Sequence, residues 1–186
     1  MIKDFLEIVK TRKTTYEFSE RKVKDSDIKK VLEAARWCPS SHNTQNWSFI
    51  VVKDKKIIER LLNICFYGFF HTRPAVIIAV ILEPIYLEEK AMQGLLLGGW
   101  KEFTYYHQYM NISIPVITMA YAAESMGINS CIISPIIDRA NNILGVPKAK
   151  KAVLLLGLGY EKKGVFKKPR KRKDYKDIVF KEKYGK

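Results

Sequence analysis

The chain has few cysteines and no pattern among them. Cys38, Cys65 and Cys131 are odd in number and contain no Cys-x-x-Cys pair, which excludes a disulfide framework and leaves no zinc-ligand spacing. Long apolar runs are missing too. The longest, Pro74 to Leu82, is far too short to span a bilayer. The opening residues Met1-Ile2-Lys3-Asp4-Phe5 lack the apolar stretch and small-residue cleavage site of a secretion signal. Reduced thiols without a targeting segment set the expectation of a cytoplasmic protein that binds no membrane. No internal repeat is present. Acidic residues are scarce, 19 against 33 Lys and Arg, for a formal net charge of +14.

What is present suffices for one core. The 186 residues are 47% hydrophobic, which fits a single domain over residues 1–186 and excludes wholesale disorder. The positive charge is uneven. Residues 162–186 form a basic C-terminal tail with twelve Lys/Arg and three Asp/Glu, a net of +9. Such a tail suits nucleic acid, an anionic surface or a phosphorylated small molecule. Simple solvation explains it equally well. A nucleic-acid partner is disfavoured, because the tail lacks interleaved aromatics on which bases stack.

Helical spacing of Phe5, Ile8 and Val9 predicts a short helix over residues 3–11, and Ile28, Val31, Leu32 and Ala35 mark a second that Pro39 closes. Ser48 to Lys53 reads as a strand, and Asp54 caps a helix that turns Ile57, Ile58, Leu61, Leu62 and Cys65 inward. Ala75 to Leu82 is a second strand. Residues Trp100 to Tyr109 are aromatic and carry no clear period. Pro115 to Met126, apolar almost all round, reads as a buried central helix stopped by Gly127. Ile128 to Ile133 is a strand, Ser134-Pro135 caps and opens a helix ending at Gly145, and Ala152 to Gly159 is the last strand. The expected fold class is α+β, with one mixed sheet flanked by helices.

Motifs for nucleophilic or metal catalysis are absent. His42, His71 and His107 have no partner in a recognisable nucleophile motif and no ligand spacing. There is no P-loop, and Gly157-Leu158-Gly159 lacks the third glycine of a dinucleotide fingerprint. Three polar clusters remain at element borders: Arg12-Lys13-Thr14-Thr15, Pro39 to Trp47, and Lys168-Pro169-Arg170-Lys171-Arg172. Arginines beside hydroxyls offer the charge-assisted and neutral donors a phosphate needs. Amides such as Asn43 and Gln45 suit the edge of a heterocycle. Taken singly, each cluster is also what a helix end or a polar turn looks like.

Together, in this order, they resemble the nitroreductase family of flavoproteins. Its Arg-Arg-Ser-x-Arg-x-Phe opening is similar to Arg12-Lys13-Thr14-Thr15-Tyr16-Glu17-Phe18. Its Ala-Arg-x-Ala-Pro-Ser-x-x-Asn-x-Gln-Pro-Trp segment is similar to Ala35 through Trp47. Its central helix and Gly-Leu-Gly-x-x-Cys/Ser turn resemble Ala122 through Cys131, and its terminal strand Leu156-Gly157-Leu158-Gly159-Tyr160.

The resemblance implies bound FMN, electrons from NADH or NADPH, and a small electron-poor acceptor such as a nitroaromatic or quinone. It implies that the flavin carries the chemistry, so no catalytic side chain is expected. Arg12, Lys13 and Thr14 would hold the phosphate and ribityl chain, with Arg170 or Arg172 closing on the phosphate. Pro39, Ser40, Ser41, Asn43 and Gln45 would reach the flavin across a homodimer interface, the tail being docked on the partner subunit. Tyr16 stands where the family has a basic residue and Ser134 where it has a glycine-rich turn, both beside the flavin. Asn46 replaces a proline and is expected to loosen its turn. Dehalogenation and flavin fragmentation are alternative reactions on the same fold.

Overall fold

Seven consecutive apolar residues, Val76 to Leu82, form a strand buried along its whole length. Alternation explains how. Val76, Ile78, Val80 and Leu82 enter one core, while Ile77, Ala79 and Ile81 enter another on the opposite face. The computed structural model describes residues 4–65, 72–84, 100–165 and 170–185. In chain order the elements are α1 (Phe5–Thr11), α2 (Asp25–Arg36), β1 (Trp47–Val52), α3 (Lys55–Leu62), β2 (Val76–Leu82), α4 (Trp100–Ser125), β3 (Asn129–Ile133), α5 (Ile137–Leu144) and β4 (Lys151–Gly159). Short 3-10 turns cover Ser41–Asn43 and Tyr175–Asp177.

The sheet order is β1-β2-β4-β3. All three strand pairs are antiparallel, so the α+β class holds but the sheet is not mixed. Among the described residues the one parallel pairing is an isolated bridge, Thr14 to Ser130. Helices α2 and α4 cover one face, through Val31, Ala35, Val116 and Met119. Helices α3 and α5 cover the other, through Ile58, Leu61 and Ala140. Asp54 caps α3 as expected, its carboxylate accepting from the Ile57 amide at 2.9 Å. Gly145 ends α5 at φ 67°, a left-handed stop that glycine adopts freely.

Two expectations are corrected. Helix α4 does not start at Pro115; it begins at Trp100 and runs through the proline. Pro115 leaves the Asn111 carbonyl without its helical donor, but Ile112, Val116 and Met119 are buried on one side, and that packing outweighs the lost bond. Ser134-Pro135 does not open α5 either. Pro135 bridges Cys65 and the Ile136 amide donates to Ile64 at 3.0 Å, so this stretch stays extended and α5 starts at Ile137 without a side-chain cap. The glycines at 94, 98 and 99, His71, and Lys168-Pro169 lie outside the described residues. Among the described residues no helix is long and apolar enough to cross a membrane.

Candidate functional site

Two of the polar clusters occupy diagonally opposite corners of the sheet. At the first, the chain leaves α1 and runs along the free edge of β3. Thr14 bridges Ser130, and the Thr15 amide donates to the Ser130 carbonyl at 3.1 Å. Phe18, 2% exposed, pins the segment where it bridges Glu161. Gly159 makes room for that ring, since a Cβ there would lie 2.7 Å from Phe18 Cδ1.

Lys13 is committed to Glu161, with Nζ 2.7 Å from the carboxylate. The Arg12 guanidinium meets no carboxylate among the described residues. Arg170 brings the tail to this corner, donating to the main-chain carbonyls of Lys10 and Arg12. Arg172 bonds the adjacent Lys171 carbonyl at 2.9 Å, so Arg170 is the tail arginine that reaches Arg12. Both cations gather at the last turn of α1, where the helix dipole favours positive charge. Burial and the Cys131 thiol push Tyr16 above the ordinary phenol value, so its hydroxyl stays neutral. Sequence reasoning placed Thr15 in the first cluster without a role and did not single out Ser130; among the described residues the side-chain hydroxyls of both are buried without a partner. Ser134 lies four residues past Ser130, on the order of 13 Å by strand rise, and one copy does not bring it to this corner.

The second corner is the loop from Pro39 to Asn46, between α2 and the start of β1. Three of its residues without glycine's freedom are left-handed: His42 (φ 51°), Asn43 (φ 53°) and Gln45 (φ 44°). Such conformations cost roughly 1–2 kcal/mol each and persist only where the surroundings dictate them. Here the Ser40 hydroxyl accepts from the Gln45 amide at 2.9 Å, and Gln45 Nε2 donates to Asn43 Oδ1 at 3.1 Å. The larger share of the constraint comes from α4. Asn111, 4% exposed, accepts from the Ser41 amide at 3.2 Å and donates to Asn46 Oδ1 at 3.1 Å and Thr44 Oγ1 at 3.4 Å. Asn46 is 2% exposed, and its carbonyl accepts from the Glu83 amide at 3.0 Å. The expectation of a loosened turn is therefore wrong. A buried amide pair holds it, and a proline at 46 would disfavour the left-handed Gln45 before it.

Neighbouring rows of the sheet separate the two corners. Trp47 pairs with Leu82 and Leu82 with Lys151, at one end of β4; Ser130 pairs with Leu158, at the other. β1 and β3 are also opposite edges. Strand spacing and rise put Trp47 and Ser130 roughly 25 Å apart.

Neither Cys65 nor Cys131 offers a nucleophile. Burial, reinforced by Cys65 and opposed by Arg12, pushes Cys131 up to about 12, and burial pushes Cys65 up to about 11. A raised thiol pKa leaves the unreactive protonated form at neutral pH. Native protein treated with iodoacetamide at neutral pH should stay unlabelled at both positions, and unfolding should expose them; mass spectrometry of native-state label at Cys131 would contradict this. Among the described residues no group of His, Cys, Asp and Glu could hold a metal ion.

The family model described as the Nitroreductase family matches residues 9–160. The chain belongs to that family. It is 25% identical over 166 residues to an Archaeoglobus fulgidus protein named as an NADH dehydrogenase/NAD(P)H nitroreductase, covering 87% of each chain. It is 24% identical over 205 residues to iodotyrosine deiodinase 1 of Rattus norvegicus, covering 95% of this chain and 68% of that one. Its fold matches the NADPH:FMN oxidoreductase of Vibrio harveyi complexed with NAD+, with TM-score 0.79 and 17% identity over 98% of this chain and 78% of that one.

Proposed function

We propose that the protein is an FMN-dependent oxidoreductase that draws electrons from NADH or NADPH and delivers them to a small electron-poor acceptor, a nitroaromatic or a quinone. The observation that carries this is the first corner: an Arg12 guanidinium without a carboxylate among the described residues, beside the exposed Thr14 and a tethered Arg170. That donor set fits a phosphate dianion, and the unpartnered Thr15 and Ser130 hydroxyls mark further polar capacity next to it. Relatives named for NAD(P)H nitroreduction and a neighbour named for NADPH and FMN support the same reading.

In this reading Arg12, Thr14 and Arg170 grip the phosphate, and Lys13, paired with Glu161, lines the ribityl side. Bound FMN would supply the redox chemistry, taking a hydride from the nicotinamide and passing electrons to the acceptor. Pro39, Ser40, Ser41, Asn43 and Gln45 orient the flavin ring. Tyr16 supplies a neutral hydroxyl where a cation would otherwise stand. The site is a shared one in this reading, with the loop coming from a second copy related by two-fold symmetry, and the placement of the two clusters at opposite corners of the sheet supports it. Helix α4 exposes Tyr106 and Met110, α1 exposes Phe5 and Leu6, and the tail exposes Ile178 and Val179. These apolar surfaces are what the homodimer covers, the tail lying on the partner. The expected place of action is the cytoplasm.

A second reading keeps the cofactor and changes the acceptor. The deiodinase relatives, aligned over 95% of this chain, support reductive dehalogenation of an aromatic substrate. Purified protein should be yellow and release FMN, not FAD, when denatured, and anaerobic NADH or NADPH should bleach it. Reoxidation by a nitroaromatic or quinone, but not by an iodinated phenol, supports the first reading; the reverse supports the second. A colourless protein that takes up no added FMN overturns both.

A further inference from the structure

A loop with three left-handed residues does not keep its shape alone, and the residue that dictates it lies on another element. We infer that Asn111 is the positioning residue of the cofactor loop: it fixes where Ser40, Ser41, Asn43 and Gln45 stand, and through them the seat of the flavin ring. The inference rests on the cofactor reading above and names a residue outside the motifs that suggest it.

One amide serves three loop positions. Its oxygen takes the Ser41 amide, and its nitrogen serves Thr44 Oγ1 and Asn46 Oδ1. The partners bracket the strained residues, Ser41 before His42 and Asn43, and Thr44 and Asn46 on either side of Gln45. Thr44 Oγ1 also donates back to the Ser41 carbonyl at 2.9 Å, closing the bracket. Asn46 adds a second tie to α4, its Nδ2 reaching the Gln108 carbonyl at 3.5 Å. Buried as it is, the Asn111 side chain has no solvent to replace a lost partner. It also sits at the turn of α4 whose carbonyl Pro115 leaves undonated. Loop and helix therefore behave as one body at this point, and the loop's geometry is set by α4 rather than by its own sequence.

The test separates positioning from plain stability. Asn111→Leu alone strands the Ser41 amide and Asn46 Oδ1, so it should lower both stability and flavin affinity. The double variant Asn46→Leu/Asn111→Leu removes both members of the buried pair, so it still strands the Ser41 amide but no longer a buried Asn46 oxygen. Its melting temperature should lie closer to the parent's than that of Asn111→Leu, while FMN binds on the order of tenfold more weakly. The visible circular dichroism of its bound flavin should change. Amide exchange at Ser41, Thr44 and Gln45 should speed up in both variants without FMN, whereas β2 amides stay protected. Parent-like FMN affinity and flavin dichroism in the double variant overturn the inference, and so does unchanged loop exchange. A parent that takes up no FMN overturns the cofactor reading; in that case the exchange data decide whether Asn111 holds the loop.

Discussion

Replacing Arg12 by alanine is expected to weaken FMN binding about ten- to a hundredfold. A charge-assisted bond contributes roughly 1.5–3 kcal/mol, and each decade of affinity corresponds to about 1.4 kcal/mol. Arg12 is the residue to choose because Lys13 is already paired with Glu161, while the Arg12 guanidinium has no carboxylate among the described residues. Lysine at this position should recover only part of the loss, since a point charge does not reproduce the planar fork. Riboflavin lacks the phosphate, so parent and variant should bind it almost equally. An equal drop for riboflavin would make Arg12 structural. Arg170→Ala should produce the same pattern with a smaller amplitude, because its guanidinium is shared with the Lys10 and Arg12 carbonyls. Titration by flavin fluorescence measures both.

The core elements were legible because their residues carry a period. Strand β2 alternates between two buried faces, and α3 repeats apolar residues every three to four positions behind an aspartate cap. Local pattern is enough where local pattern decides. It fails where a distant surface decides. A helix through Pro115 contradicts the residue's own preference and is set by burial of Ile112 and Val116 against the sheet. Ser134-Pro135 has the chemistry of a helix start, yet bridging to Cys65 keeps it extended.

The site shows the same division. Arg12, Thr14 and the loop residues stand in recognisable strings, and the sequence placed each beside an element border. What it could not reveal is that Arg170 is the tail arginine that reaches Arg12, over a separation of 158 residues. Nor could it reveal Asn111, whose partners lie 65 to 70 residues away. A lone asparagine in an apolar helix reads equally well as a solvent-facing position. Asn46 misled for the same reason: as a departure from proline it looks loose, and only its buried partner shows that it is held.

The strongest effect is expected from mixing two defective copies. In the proposed reading the first corner and the cofactor loop of one chain, at opposite corners of the sheet, do not meet on one FMN, and each site takes its loop from the partner. Let one copy carry Arg12→Ala and Arg170→Ala, and the other Ser40→Ala, Ser41→Ala and Asn43→Ala. Neither homodimer has an intact site. A dimer with one copy of each has one site with both halves defective and one with both halves native. Co-expression with two different affinity tags isolates that mixed dimer, and FMN binding is then measured at a concentration that leaves both variant homodimers empty. The shared site predicts one FMN bound per mixed dimer, with parent-like affinity and nicotinamide oxidation restored. A mixed dimer as empty as its two parents would show that each chain builds its site alone, and would contradict the account.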